Sequence, residues 1–156
     1  MRSRNSSVTT GCGMLLADVN IFVYARRRES ERHAEYKAWL EDRLSGDEPF
    51  GVSELVLSSF ARIVTNHRVY RDPTPPQAAI EFCELVLAAP AAVPIRPGPL
   101  HWSIFVSLCR RVRARGNSVP DAYLAALALE QGATWVTVDA GFARFPGLRV
   151  QQALES

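Results

Sequence analysis

Two short apolar runs, each closed by an aspartate, constrain this chain more than anything else in it. Towards the C-terminal end, Trp135-Val-Thr-Val138 runs straight into Asp139, and Ala140-Gly141 then breaks the strand. An apolar run ended by a carboxylate and a glycine reads as a buried parallel strand that delivers an acid to its C-terminal edge. The same device stands near the other end, in Met14-Leu-Leu-Ala-Asp-Val-Asn20. In open α/β sheets, ligands bind beyond that edge. Two acids far apart in sequence are therefore expected to share one site, and one metal.

The sequence between them supplies the crossovers that a parallel sheet needs. A helix is expected from Asn20, carrying Ile21, Phe22 and Tyr24 up to the Arg26-Arg27-Arg28 cluster. Ser30 can cap a second helix over residues 31–44, with Ala34, Trp39, Leu40 and Leu44 as its apolar stripe. Phe50-Gly51-Val52 reads as a strand, and Ser53 can cap a helix reaching about Thr65 that turns Val56, Leu57, Phe60, Ile63 and Val64 inward. Thr74-Pro75-Pro76-Gln77 predicts a helix start, with Thr74 as N-cap, Pro75 in the first position and Gln77 completing a capping box. That helix should run to Ala89, where Pro90 stops it. A strand over residues 92–95, a helix over 100–115 closed by Gly116, a helix opened by Ser118-Val-Pro-Asp121 and closed by Gly132, and an edge strand over 148–151 complete the reading.

Strands alternating with helices predict an α/β fold, a three-layer sandwich around a five-stranded parallel sheet with right-handed crossovers. The length of 156 residues suits one domain with a real core. That domain is expected over residues 14–156, behind a flexible N-terminal extension over 1–13 that leaves Met14 as an alternative start. The extension is small, polar and basic, a poor composition for a signal peptide. The longest apolar stretch, residues 85–95, is too short to span a bilayer and carries Pro90 and Pro94. Cys12, Cys83 and Cys109 are odd in number and lack any C-x-x-C spacing, which argues against a disulfide framework or a zinc ribbon and for a reducing, cytoplasmic setting. A net charge of +2 says little, but Lys37 is the only lysine among eighteen basic residues. Arginine grips phosphate bidentately, so the bias is compatible with phosphate recognition.

Four acids take positions at element ends: Asp18 and Asp139 close strands, while Glu54 and Asp121 open helices. Period-two alternation places Asn20 and Thr137 on the same faces as their aspartates. Two carboxylates about 4 Å apart repel by roughly 4 kcal/mol at an effective dielectric of 20. A cluster stays ionised only beside a cation, and all-oxygen ligands select a hard one such as Mg²⁺ or Mn²⁺. Such a site activates water for in-line attack on a phosphodiester. Each acid also has a plainer explanation: a favourable helix start for Glu54, a Ser118-x-x-Asp box for Asp121, turn chemistry for Asp139. Asp18 is the hardest to dismiss, because an acid ending an apolar strand seldom stays unpaired. His33, His67 and His101 fall on separate elements with no metal-ligand spacing. A receiver-type Mg²⁺ switch needs a late lysine, and a haloacid-dehalogenase phosphatase needs a second aspartate where Asn20 stands.

From residue 14 to 150 the chain resembles a PIN domain, and specifically the VapC-type toxins of bacterial toxin–antitoxin pairs. The resemblance rests on Leu16-Ala-Asp18-Val-Asn20, Gly51-Val-Ser-Glu54-Leu-Val, Pro120-Asp121-Ala-Tyr-Leu-Ala-Ala-Leu-Ala and Thr134-Trp-Val-Thr137-Val-Asp139-Ala-Gly-Phe142. It implies strand order 3-2-1-4-5 and a Mg²⁺- or Mn²⁺-dependent endoribonuclease acting on tRNA or another structured RNA. Asp18, Glu54, Asp121 and Asp139 match the family's catalytic, metal-binding quartet, and Asn20 and Thr137 its polar supporting positions. A homodimer is also implied, with contacts from the helices between residues 30 and 89, as is a cognate VapB-type antitoxin that blocks the metal site, often with an arginine. Arginines 26–28 or 110–115 are expected to guide the RNA backbone. Two other readings fit the same letters: a PIN-type nuclease of RNA processing without a toxin role, and a non-catalytic Mg²⁺-binding regulatory domain.

Overall fold

Apolar runs too short to alternate are buried on both faces, and so they pair in parallel. The computed structural model describes residues 13–155, so the extension expected over 1–13 lies, Gly13 apart, outside the described residues. Strands β1 (Leu15–Ala17), β2 (Phe50–Ser53), β3 (Ala92–Ile95), β4 (Thr134–Val136) and β5 (Val150–Gln151) form one sheet in the order β3-β2-β1-β4-β5, as expected. Every pairing is parallel. Leu16, Ala17, Phe50, Val52, Trp135 and Val136 are all buried, which accounts for the unbroken apolar runs of the central strands. The two residues of β5 are exposed, as befits an edge.

Among the described residues six helices carry the crossovers: α1 (Val19–Arg26), α2 (His33–Ser45), α3 (Glu54–Val64), α4 (Pro76–Leu87), α5 (His101–Val112) and α6 (Ser118–Gln131). A short 3-10 turn, Ala140–Arg144, joins β4 to β5. Helix α1 packs on α2 and on α3, α3 packs on α4, and α5 packs on α6. Right-handed crossovers put these two groups on opposite faces of the sheet.

The expected helix starts shift wherever a polar side chain finds a tertiary partner. Thr74 does not cap α4: its buried hydroxyl accepts from Arg27 Nη1 at 3.1 Å, and Pro75 becomes the N-cap residue. Gln77 bonds forward to Glu81 instead of closing a capping box. Helix α2 begins at His33, not at 31, after Arg32 turns the chain left-handed at φ 57°, and it buries Tyr36 and Leu40 while Ala34 is exposed. The Ser118 hydroxyl bonds the backbone of Arg115, so no box with Asp121 forms. Helix α5 ends at Val112, short of the expected 115, because Arg113 adopts φ 53°.

The direction of α5 settles what lies at the carboxyl edge. Glu130, near the end of α6, accepts the N–H groups of Gly98 at 2.6 Å and Leu100 at 2.9 Å. Helix α5 therefore starts beside the end of α6 and runs back along it, and the turn over residues 113–117 returns the chain to the edge where α6 begins.

Candidate active site at the carboxyl edge of the sheet

Strand order changes direction between β1 and β4, and that switch point is where an open α/β sheet leaves a crevice. Both strands run on past their paired residues into it. The Asp18 N–H donates to the Val136 carbonyl at 2.8 Å, extending the ladder by one residue. Asp18 then turns the chain into α1, its Oδ1 accepting the Val19 N–H at 2.7 Å as an N-cap. Its Oδ2 accepts the Thr137 hydroxyl at 2.7 Å. Thr137 Oγ1 accepts the Asp139 N–H at 3.0 Å, and Asp139 Oδ1 accepts the Gly141 N–H at 2.8 Å. One relay of hydrogen bonds thus fixes both strand-ending aspartates.

Asp18 is only 5% exposed, whereas Asp139 faces solvent. Burial raises the Asp18 pKa above the ordinary carboxylate value; the hydrogen bonds from Thr137 and Val19 oppose that rise, and the charges of Asp121 and Asp139 add to it. Asp121 sits in the first turn of α6, where the helix dipole favours an anion. Its pKa is also raised, by burial first and by Asp139, against the pull of Arg144. Asp18, Asp121 and Asp139 therefore lie within one another's electrostatic reach.

The other expected site residues are arranged differently. Glu54 opens α3, 60% exposed, and its Oε1 accepts from Arg96 Nη2 at 3.0 Å. Asn20 lies in the first turn of α1 and not on a strand face, and it is half-buried. Asp121 Oδ2 is held by Arg144 Nη2, also at 3.0 Å. Among the described residues, no three acids, histidines or cysteines are drawn into a ready-made metal cluster. Sequence reasoning missed both arginines. For Arg144 a signal existed, a cation one short turn beyond a strand-ending acid.

The oxygen-only donors, a buried carboxylate among them, suit a hard divalent cation. This fold and this edge define an α/β protein of the acidic-site class. The PIN domain family matches residues 15–148. Ribonuclease VapC43 of Mycobacterium tuberculosis is 49% identical over 142 residues, covering 91% of this chain and 97% of that protein. Ribonuclease VapC25 of the same organism is 39% identical over 136 residues, 87% and 96% of the two chains. A chain of Rickettsia felis VapBC2, solved bound to a promoter DNA fragment, superposes with a TM-score of 0.67 at 20% identity, covering 89% of this chain and 98% of that one. The chain belongs to the PIN-domain family, among the VapC ribonucleases.

Proposed function

We propose that this protein is an endoribonuclease toxin that hydrolyses phosphodiester bonds of RNA at the β1–β4 edge and is neutralised by a cognate VapB-type antitoxin. The observation that carries the reading is Asp18: a carboxylate buried at the switch point, fixed through both oxygens, with two further acids in its field. A divalent cation at the edge would offset the cost of ionising such a group. Asp18 and Asp139 would hold Mg²⁺ or Mn²⁺ with Asp121, and Glu54 would complete the shell directly or through water. When bound, the ion supplies an activated water and neutralises charge on the phosphate.

The protein's part is to hold these oxygens still. The Thr137 hydroxyl orients Asp18 Oδ2, the Val19 N–H orients Oδ1, and the Gly141 N–H orients Asp139. The N-terminus of α1 turns its dipole towards the site and favours the ionised form of Asp18. Asn20, two residues on in the first turn of α1, would support a water or a phosphate oxygen. The relatives named ribonucleases supply the substrate class, and tRNA or another structured RNA is its expected member. The family kinship also favours a homodimer. Among the described residues no helix is long and apolar enough to cross a membrane.

The test is cleavage of total RNA by purified protein in Mn²⁺ and in EDTA, beside Asp18→Asn. Cleavage should require the metal and fall about a hundredfold or more in the variant, since loss of a ligand exceeds the 10–100-fold cost of losing a supporting group. A folded Asp18→Asn protein that cuts at the wild-type rate refutes the site.

A further inference from the structure

The acid cluster already has a cation of its own. Arg144 Nη2 lies 3.0 Å from Asp121 Oδ2, with the arginine side chain 40% and the aspartate 28% exposed. Its other terminal nitrogen borders the Gly141 turn that Asp139 caps. A Cβ built on Gly141 would stand 3.2 Å from Arg144 Nη1 and 3.0 Å from Asp139 Oδ1. A side chain there would crowd the space between guanidinium and carboxylate. The guanidinium also lies 5.0 Å from the ring centroid of Phe145, which is buried and so makes a fixed platform. The Arg144 guanidinium is thus held between the Phe145 ring and Asp121 while staying partly solvated.

The geometry points to Arg144 as a functional residue of the site, with two successive partners. It neutralises Asp121 while no divalent ion is bound. When the ion takes that carboxylate, the freed guanidinium becomes the phosphate-binding cation beside it. This rests on the metal site proposed above. One carboxylate oxygen cannot serve a divalent ion and an arginine equally, because the two cations repel each other across it. Arginine is suited to the second role, since its planar fork takes two oxygens of a phosphate at once.

The experiment is Mn²⁺ titration by calorimetry of the wild type, Arg144→Gln and Arg144→Lys, with Asp18→Asn as the control for the site. Arg144→Gln should bind Mn²⁺ about three- to tenfold more tightly, the range for removing one partly solvated charge beside a divalent ion. Arg144→Lys keeps the charge and should stay near wild type. The same proteins are then titrated, in saturating Ca²⁺, with a fluorescein-labelled RNA hairpin of mixed sequence. There Arg144→Gln should bind about three- to tenfold more weakly, as loss of one phosphate contact requires. A merely structural arginine would weaken both or neither. Unchanged or weaker Mn²⁺ binding by Arg144→Gln overturns the competition, and unchanged hairpin binding overturns the hand-over to phosphate. A wild type that binds no Mn²⁺ through Asp18 overturns the metal site itself and this inference with it. Wild-type binding that depends on Asp18 but ignores Arg144 overturns this inference alone.

Discussion

Asp18 is held in a setting that suits its protonated form better than its ionised one, and this has a measurable sign. Its folded-state pKa is raised, chiefly by burial. The native state therefore binds more protons than the unfolded chain between the ordinary carboxylate value and the raised one, and metal-free stability falls as pH rises through that window. Asparagine has the same shape, can accept the Val19 N–H and can donate to Thr137 Oγ1, but carries no charge. In EDTA at neutral pH, Asp18→Asn should melt above the wild type. The gap should close as pH falls through the raised pKa, because the wild-type carboxyl then becomes neutral too. With Mn²⁺ the order should reverse, as only the wild type gains stability from the ion. Thermal melts of both proteins across pH, with and without metal, check all three statements. A wild type that melts higher than Asp18→Asn in EDTA at neutral pH would contradict the burial argument.

At the scale of elements, β2 is the strand with least room for error. Gly51 pairs with Leu16 on one side and Val93 on the other. A Cβ there would meet Ile95 Cγ1 and Leu16 Cδ2, each at 3.0 Å. The backbone needs no special φ at this glycine, so the cost of Gly51→Ala is steric alone. It should lower stability by about 1–3 kcal/mol, the usual penalty for overpacking a closed core. Urea unfolding measures it, and an unchanged midpoint would mean that β2 and β3 part easily. The same contrast between near and far neighbours explains what could be read from the letters. The central strands were legible because burial on both faces leaves an apolar signature; β3, half exposed, still matches its expected limits. The Asp18–Thr137 bond was not legible: alternation grouped Thr137 with Asp139, and it is the β1–β4 register, Ala17 opposite Val136, that sets Thr137 beside Asp18. Helix caps were misjudged where the hydroxyl had a better offer, as Thr74 does from Arg27, 47 residues away. The partner of Glu54 lies 42 residues away, and no local pattern encodes such an approach.

For the whole molecule the question is where a chain with a net charge of only +2 would hold a polyanion. The answer lies in placement, and the fold separates the two arginine clusters that sequence alone left equivalent. Asp18 opens α1 and Arg26 ends it, so residues 26–28 stand about 12 Å down the helix from the acids. Arg27 is moreover committed to structure, stacked 4.0 Å over Tyr70 and bonded to Thr74 and the Asp72 carbonyl. Arg113 and Arg115 are exposed on the turn that leads directly into α6 and Asp121. They flank the acidic edge and should each neutralise one phosphate. A double variant, Arg113→Asn with Arg115→Gln, should reduce the slope of log K against log salt for RNA binding by about 1.4–1.8, at 0.7–0.9 per lost phosphate contact. Asparagine is chosen at 113 because it tolerates the left-handed backbone there. The matched variant, Arg26→Gln with Arg28→Gln, should leave the slope unchanged. Equal effects from both pairs would mean that RNA runs along the whole of α1, and would remove the carboxyl edge as its principal track.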